Sequence, residues 1–196
     1  MSTNCYLLYR TDTNQALIID PADKAEEIIR QLKLLSLVPE AILLTHGHFD
    51  HIGAVQALKE TYQIPVYAHE AEQELLENAQ YNLSAMFQGA NTIRLDEMLS
   101  DRQILKAAGF TLQVLHTPGH TAGSVCYYLE KEKLLFSGDT IFAGSVGRTD
   151  FPTGNMSTLL NSVKEVILKL PDDVEIYPGH GEQTNVGYEK THNPFA

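Results

Sequence analysis

Residues 45–51 read Thr45-His46-Gly47-His48-Phe49-Asp50-His51, with the apolar run Ala41–Leu44 before them and the helix-forming stretch Gly53–Tyr62 after them. Three imidazoles and a carboxylate thus fall within the six positions from His46 to His51, and a hydrophobic core has no use for them. A buried strand that runs through a polar loop into a helix is the repeating step of a layered α/β protein, and it delivers side chains at the strand's end. His46 and His48, two residues apart in extended chain, project the same way, while Asp50 and His51 turn toward a neighbouring point. One metal ion with a second close by would use all four.

Such a centre needs donors from further along the chain, and three stand in matching settings. His120 ends Thr117-Pro118-Gly119-His120 after the strand-like run Phe110–Leu115, and His180 ends Tyr177-Pro178-Gly179-His180 after a short run at Glu175–Tyr177. Asp139 follows Leu134–Gly138, where Ser137 and Gly138 let the backbone come close to a bound ion. Alone, each of these is an ordinary turn residue; together with the first four they make a ligand set.

Around these positions the pattern predicts strands at Tyr6–Tyr9 and Ala16–Ile19, a helix over Lys24–Leu37, a strand at Ile64–Ala68 and an acidic helix at Glu70–Glu77. Residues 78–104 lack a period and read as a loop or lid, with Tyr81, Met86 and Phe87 as its apolar contacts. Strands are expected at Ser124–Leu129 and Lys133–Ser137, joined by a turn at Glu130–Glu132, and an amphipathic helix over Leu159–Leu170. Two strand-rich halves that each need a helical cover predict a sheet-on-sheet sandwich flanked by helices, one domain over residues 1–196. Cys5 and Cys126 have apolar or aromatic neighbours and read as reduced core thiols.

The formal charge of −11 disfavours nucleic acid and anionic membrane surfaces as partners, and no apolar run approaches the roughly 20 residues that span a bilayer. A small-molecule substrate and a cytoplasmic location are the expectations; the oligomeric state is left open.

Thr45–His51, with His120, Asp139 and His180 at these intervals, resembles the metallo-β-lactamase-fold hydrolases. The run Asp139–Phe151 and the tail Pro178-Gly179-His180-Gly181-Glu182 to Asn193-Pro194-Phe195 resemble their short glyoxalase II-like (hydroxyacylglutathione hydrolase-like) branch. The resemblance implies a four-layer αββα sandwich of two mixed sheets. It implies that His46, His48 and His120 hold one divalent ion, that Asp50, His51 and His180 hold another, and that Asp139 bridges them. Zinc is the expected metal, with iron or manganese as alternatives. Two such ions can share a hydroxide that attacks the carbonyl of a thioester such as S-lactoylglutathione, or of a related ester. Asp50 and Asp139 are the residues closest to that chemistry. Arg148, nine residues after Asp139, stands where the longer enzymes place a basic substrate-binding residue; the competing reading is an ion pair with Asp150.

Three rival functions remain. A persulfide dioxygenase of the same fold would use one iron held by two histidines and an aspartate. A β-lactamase is disfavoured because those enzymes characteristically carry a cysteine where this chain has Asp139. A non-catalytic metal- or metabolite-binding domain would be expected to have lost a ligand. His116 is set aside as a ligand because Pro118 and Gly119 separate it from His120. His69 and His192 read as surface or hydrogen-bonding residues, and Asp20 as either an outer carboxylate behind a metal ligand or a turn residue before Pro21.

Overall fold

The computed structural model describes residues 2–87 and 89–196. Strands β1 (Tyr6–Tyr9), β2 (Gln15–Ile19), β3 (Val38–Leu43), β4 (Val66–His69) and β5 (Glu97–Leu99) form a sheet in the order β1-β2-β3-β4-β5. Only β1 and β2 pair antiparallel; the rest are parallel. The helices α1 (Ala25–Leu34) and α3 (Val55–Tyr62) supply the crossovers that parallel neighbours require. A second sheet has the order β13-β12-β9-β8-β7-β6. Its strands are β6 (Ile104–Ala107), β7 (Phe110–His116), β8 (Val125–Leu129), β9 (Leu134–Gly138), β12 (Glu175–Pro178) and β13 (Thr184–Asn185), and only the β9–β12 pair is parallel; β10 (Ile141–Phe142) and β11 (Ser145–Val146) form a separate antiparallel ladder.

Strand parity builds the layers. In β2, Leu17 and Ile19 pack into the apolar cluster between the sheets while Ala16 and Ile18 face the cluster under α1 and α3. In β8, Val125, Tyr127 and Leu129 enter the inter-sheet cluster, and Cys126 and Tyr128 face the opposite side. There they meet Leu159 and Val163 of α6 (Met156–Glu165) and Val186 of α7 (Val186–His192). Successive residues pointing to opposite faces, apolar on both, require a cover on each side. The result is the αββα sandwich of two mixed sheets.

Several expectations shift. The helix expected at Glu70–Glu77 is a tight turn at Glu70–Glu72 followed by α4 (Gln73–Leu76), and the 78–104 stretch contains the helical turn α5 (Ser84–Phe87), β5 and the first residue of β6; Gln88 of the expected lid lies outside the described residues. The helix expected over Leu159–Leu170 breaks at Val166 into α6 and a tighter turn at Ile167–Lys169. α1 ends at Leu34, and Ser36 follows in the left-handed region at φ 54°. α7 was not anticipated. Cys5 is half-buried and Cys126 buried, both as free thiols, and burial first of all raises their pKa values to about 12 and about 11. Among the described residues no helix is long and apolar enough to cross a membrane.

Candidate metal centre

The seven side chains singled out from the sequence stand beyond the C-terminal ends of strands. His46 and His48 follow β3, and Asp50 and His51 ride on the helical turn α2 (Phe49–Ile52). His120 sits between β7 and β8, Asp139 directly after β9, and His180 after β12. Glycine makes the convergence possible at two points. Gly138 turns the chain at φ 49°, and a Cβ on Gly179 would fall on Asp139 Oδ1.

His48 Nδ1 lies 2.9 Å from His120 Nε2, which lies 3.2 Å from His46 Nε2. One donor atom from each of Asp50, His51 and His180 forms a second group within 4.8 Å of one another. Asp139 stands between the groups, its Oδ1 3.3 Å from His51 Nε2 and its Oδ2 3.6 and 3.4 Å from Nε2 of His120 and His180. Asp50 Oδ2 is 3.3 Å from His180 Nε2.

The outer ring nitrogens set what the inner ones can do. His120 Nδ1 faces the Arg148 carbonyl at 2.7 Å and His180 Nδ1 faces the Ser2 carbonyl at 2.9 Å. A carbonyl only accepts, so each Nδ1 carries a hydrogen and Nε2 is left as the inward-facing nitrogen. His51 Nδ1 donates in the same way to Asp20 Oδ2 at 2.9 Å. The inner nitrogens of His51 and His180 therefore face the carboxylates of Asp139 and Asp50, whose hydrogen bonds raise the His180 pKa to about 10; a bound cation would take the place of the protons held there. His51 Nε2 and Asp139 Oδ1 are buried without a hydrogen-bond partner among the described residues, which fits metal donors.

The electrostatics agree. Burial, and then the neighbouring imidazoles, keep His46 neutral and bring His48 down to about 3, so both keep their lone pairs. Burial opposes a charge on His51, yet the carboxylates of Asp139 and Asp20 outweigh it and raise its pKa. Burial likewise works against Asp50, but the His180 hydrogen bond and the His51 charge take it to about 2.

Two buried acids hold the loops. Asp20 accepts from Thr45 N at 2.8 Å, Thr45 Oγ1 at 2.6 Å and His51 Nδ1, which puts the carboxylate directly behind the His51 ring. Glu72, which the sequence placed in an unremarkable acidic helix, is buried and accepts from Gly47 N at 2.9 Å and Thr121 Oγ1 at 3.0 Å. It ties the His46–His48 loop to the His120 loop. Burial lifts its pKa to about 7 against these bonds. The unfolded chain releases this proton near 4.5, so the stability it contributes is complete below that value and lost as pH rises to about 7. Glu72→Gln does not titrate; its stability relative to the parent is expected to rise by on the order of 3 kcal/mol between pH 4.5 and 8 in denaturant unfolding. A pH-independent difference would show that Glu72 ionises normally.

The inner donors open into a pocket of about 550 Å³ whose walls include Phe49, Leu83, Phe87, Phe142 and Phe151. Phe87 stacks on Phe49, with ring centroids 4.7 Å apart. Arg148 lines the pocket, but its Nε and one terminal nitrogen are bound by the Asp150 carboxylate at 2.7 and 2.6 Å, and its guanidinium lies 3.9 Å from the centre of the Phe151 ring. His116 is outside the centre, on the Ala122 carbonyl. His69 is buried rather than exposed: its Nδ1 accepts from Ala71 N, and it stacks on His116.

Residues 1–180 match the sequence profile of the Metallo-beta-lactamase superfamily. The hydroxyacylglutathione hydrolase GloC of Haemophilus influenzae is 39% identical over 98% of this chain and 92% of its own length. The crystal structure of the BLEG-1 B3 metallo-beta-lactamase superposes with a TM-score of 0.93 at 47% identity, over 98% of this chain and 93% of that one. That of TTHA1623 in a di-iron-bound form does so with a TM-score of 0.88 at 38% identity, over 99% and 95%.

Proposed function

Since the chain belongs to the metallo-beta-lactamase superfamily, we propose that it is a binuclear metal-dependent hydrolase of thioesters such as S-lactoylglutathione, or of a related ester. The observation that carries this reading is the pair of donor groups that meet at Asp139 on the floor of an apolar-walled pocket. The likeness to GloC supports the thioester.

His46, His48 and His120 would hold one ion, and Asp50, His51 and His180 the other, with Asp139 shared. Imidazole and carboxylate suit zinc first, with iron and manganese as alternatives. When bound, the pair of ions supplies a nucleophile derived from water at neutral pH and a Lewis acid for the carbonyl oxygen. Asp139 and Asp50 stay ionised and burial keeps His46, His48 and His120 neutral, so the first group is ready to bind, whereas His51 and His180, whose pKa values the neighbouring carboxylates raise, would each give up a proton to an incoming ion. Phe49, Phe142 and Phe151 give the pocket an apolar wall beside the place the scissile bond would occupy. A carboxylate on the substrate would exchange with Asp150 on the Arg148 guanidinium. Arg148→Ala is therefore expected to raise KM about three- to tenfold with kcat within about twofold, the pattern of lost uniform binding. A fall in kcat at unchanged KM would remove Arg148 from substrate binding.

The substrate is proposed to be a small molecule of the cytoplasm, in keeping with the charge of −11. A second reading, β-lactam hydrolysis, is favoured by the 47% identity to a protein named as a B3 metallo-beta-lactamase, against which the argument from Asp139 weighs less. The experiment is steady-state turnover by the metal-loaded protein of S-lactoylglutathione and a β-lactam, beside oxygen uptake with glutathione persulfide. Thioester turnover well above the other two is expected. Oxygen uptake without thioester turnover would give the iron dioxygenase its place, and β-lactam turnover alone the second reading.

A further inference from the structure

The two halves of the centre are held in different ways. His46, His48 and His120 are 1–3% exposed. The outer nitrogens of His46 and His120 meet Thr45 Oγ1 and the Arg148 carbonyl, both on the body of the centre itself. In the second group His51 is buried on Asp20, but the side chains of Asp50 and His180 are 17% and 20% exposed and take further partners from the N-terminal segment. The Ser2 carbonyl takes the His180 Nδ1 hydrogen at 2.9 Å, and the Thr3 hydroxyl donates to Asp50 Oδ2 at 3.0 Å.

The same segment is fastened to the loop that carries His180. Asn4 N donates to the Gly179 carbonyl at 2.7 Å, and Asn4 Nδ2 donates to the carbonyls of Pro178 and Gly181, each at 3.0 Å. Ser2 and Thr3 also line a cavity of about 440 Å³ that Asp50 borders as well. Hydrogen bonds beside open space, rather than a packed apolar face, keep the segment where it is.

We propose that Ser2–Asn4 is a positioning strap for the second metal ion, fixing the ring orientation of His180 and the rotamer of Asp50. Occupancy of that position then depends on the strap, whereas occupancy of the first does not. The inference rests on the binuclear reading above.

The test is a zinc titration of the full chain, stripped by a chelator and monitored against a competing chromophoric chelator, for the parent and for Thr3→Val, Thr3→Ser and Asn4→Leu. Loss of an outer partner weakens a metal site about 10- to 100-fold. Thr3→Val and Asn4→Leu are expected to weaken the second equivalent by that factor and to leave the first at its parental affinity. Thr3→Ser, which keeps the hydroxyl, should restore the second. Nuclear magnetic resonance should show the His180 Nδ1 hydrogen, held on the Ser2 carbonyl in the parent, exchanging faster with solvent in Asn4→Leu. Equal weakening of both equivalents would reduce the strap to general scaffolding and overturn the inference, as would unchanged affinity of both. A parent that takes up only one ion would overturn the binuclear reading together with it.

Discussion

Replacing Asp139 with alanine is expected to lower thioester hydrolysis on the order of a thousandfold and to leave a protein that cannot hold two ions. The carboxylate stands 3.3–3.6 Å from the inner nitrogens of His51, His120 and His180, so it reaches both donor groups. Its removal also sets buried imidazoles against one another, because the Asp139 charge is the largest favourable influence on His51. His46→Ala provides the contrast. His46 belongs to the first group through its 3.2 Å approach to His120, and its loss should empty mainly that position. Metal analysis of both variants, with kinetics alongside, checks the assignment; an Asp139→Ala protein with two ions and parental turnover would remove Asp139 from the bridging role.

Asp20→Ala is expected to destabilise the fold by about 3–5 kcal/mol and to weaken metal uptake by about 10- to 100-fold, although Asp20 touches no ion. The carboxylate is 2% exposed and receives three hydrogen bonds, from Thr45 N, Thr45 Oγ1 and His51 Nδ1. Alanine leaves all three donors buried and unpaired and frees the His51 ring to turn. The larger share of the effect is desolvation of stranded donors rather than lost attraction. Denaturant unfolding and a zinc titration read the two parts separately. Parental stability would mean that water replaces the carboxylate at no cost.

The layers were legible where strand parity was strong. Ala16–Ile19 and Val125–Leu129 are apolar on both faces, and a strand buried on both faces needs a sheet on one side and helices on the other. The ligands were legible because each follows a strand end, and metal donors cluster in residue types that a core avoids. What escaped the sequence depends on contacts across the chain. β5 is three residues long and buries only Leu99, and β6 alternates exposed and buried positions too briefly to register. α7 has no apolar period because one of its buried residues is Glu189, which accepts from Gly144 N and Thr184 Oγ1. Glu72 looked like solvated charge because its donors, Gly47 and Thr121, lie 25 and 49 residues away. The Arg148–Asp150 pair expected as the alternative is present, and Arg148 lines the pocket as well.

The most direct measurement of the central claim is thioester turnover as metal is returned stepwise to the chelator-stripped protein. If His46, His48, Asp50, His51, His120, Asp139 and His180 form one binuclear hydrolytic centre, hydrolysis of S-lactoylglutathione should be absent without metal and should level off at two equivalents per chain. A plateau at one equivalent, or no turnover with two ions bound, would contradict it.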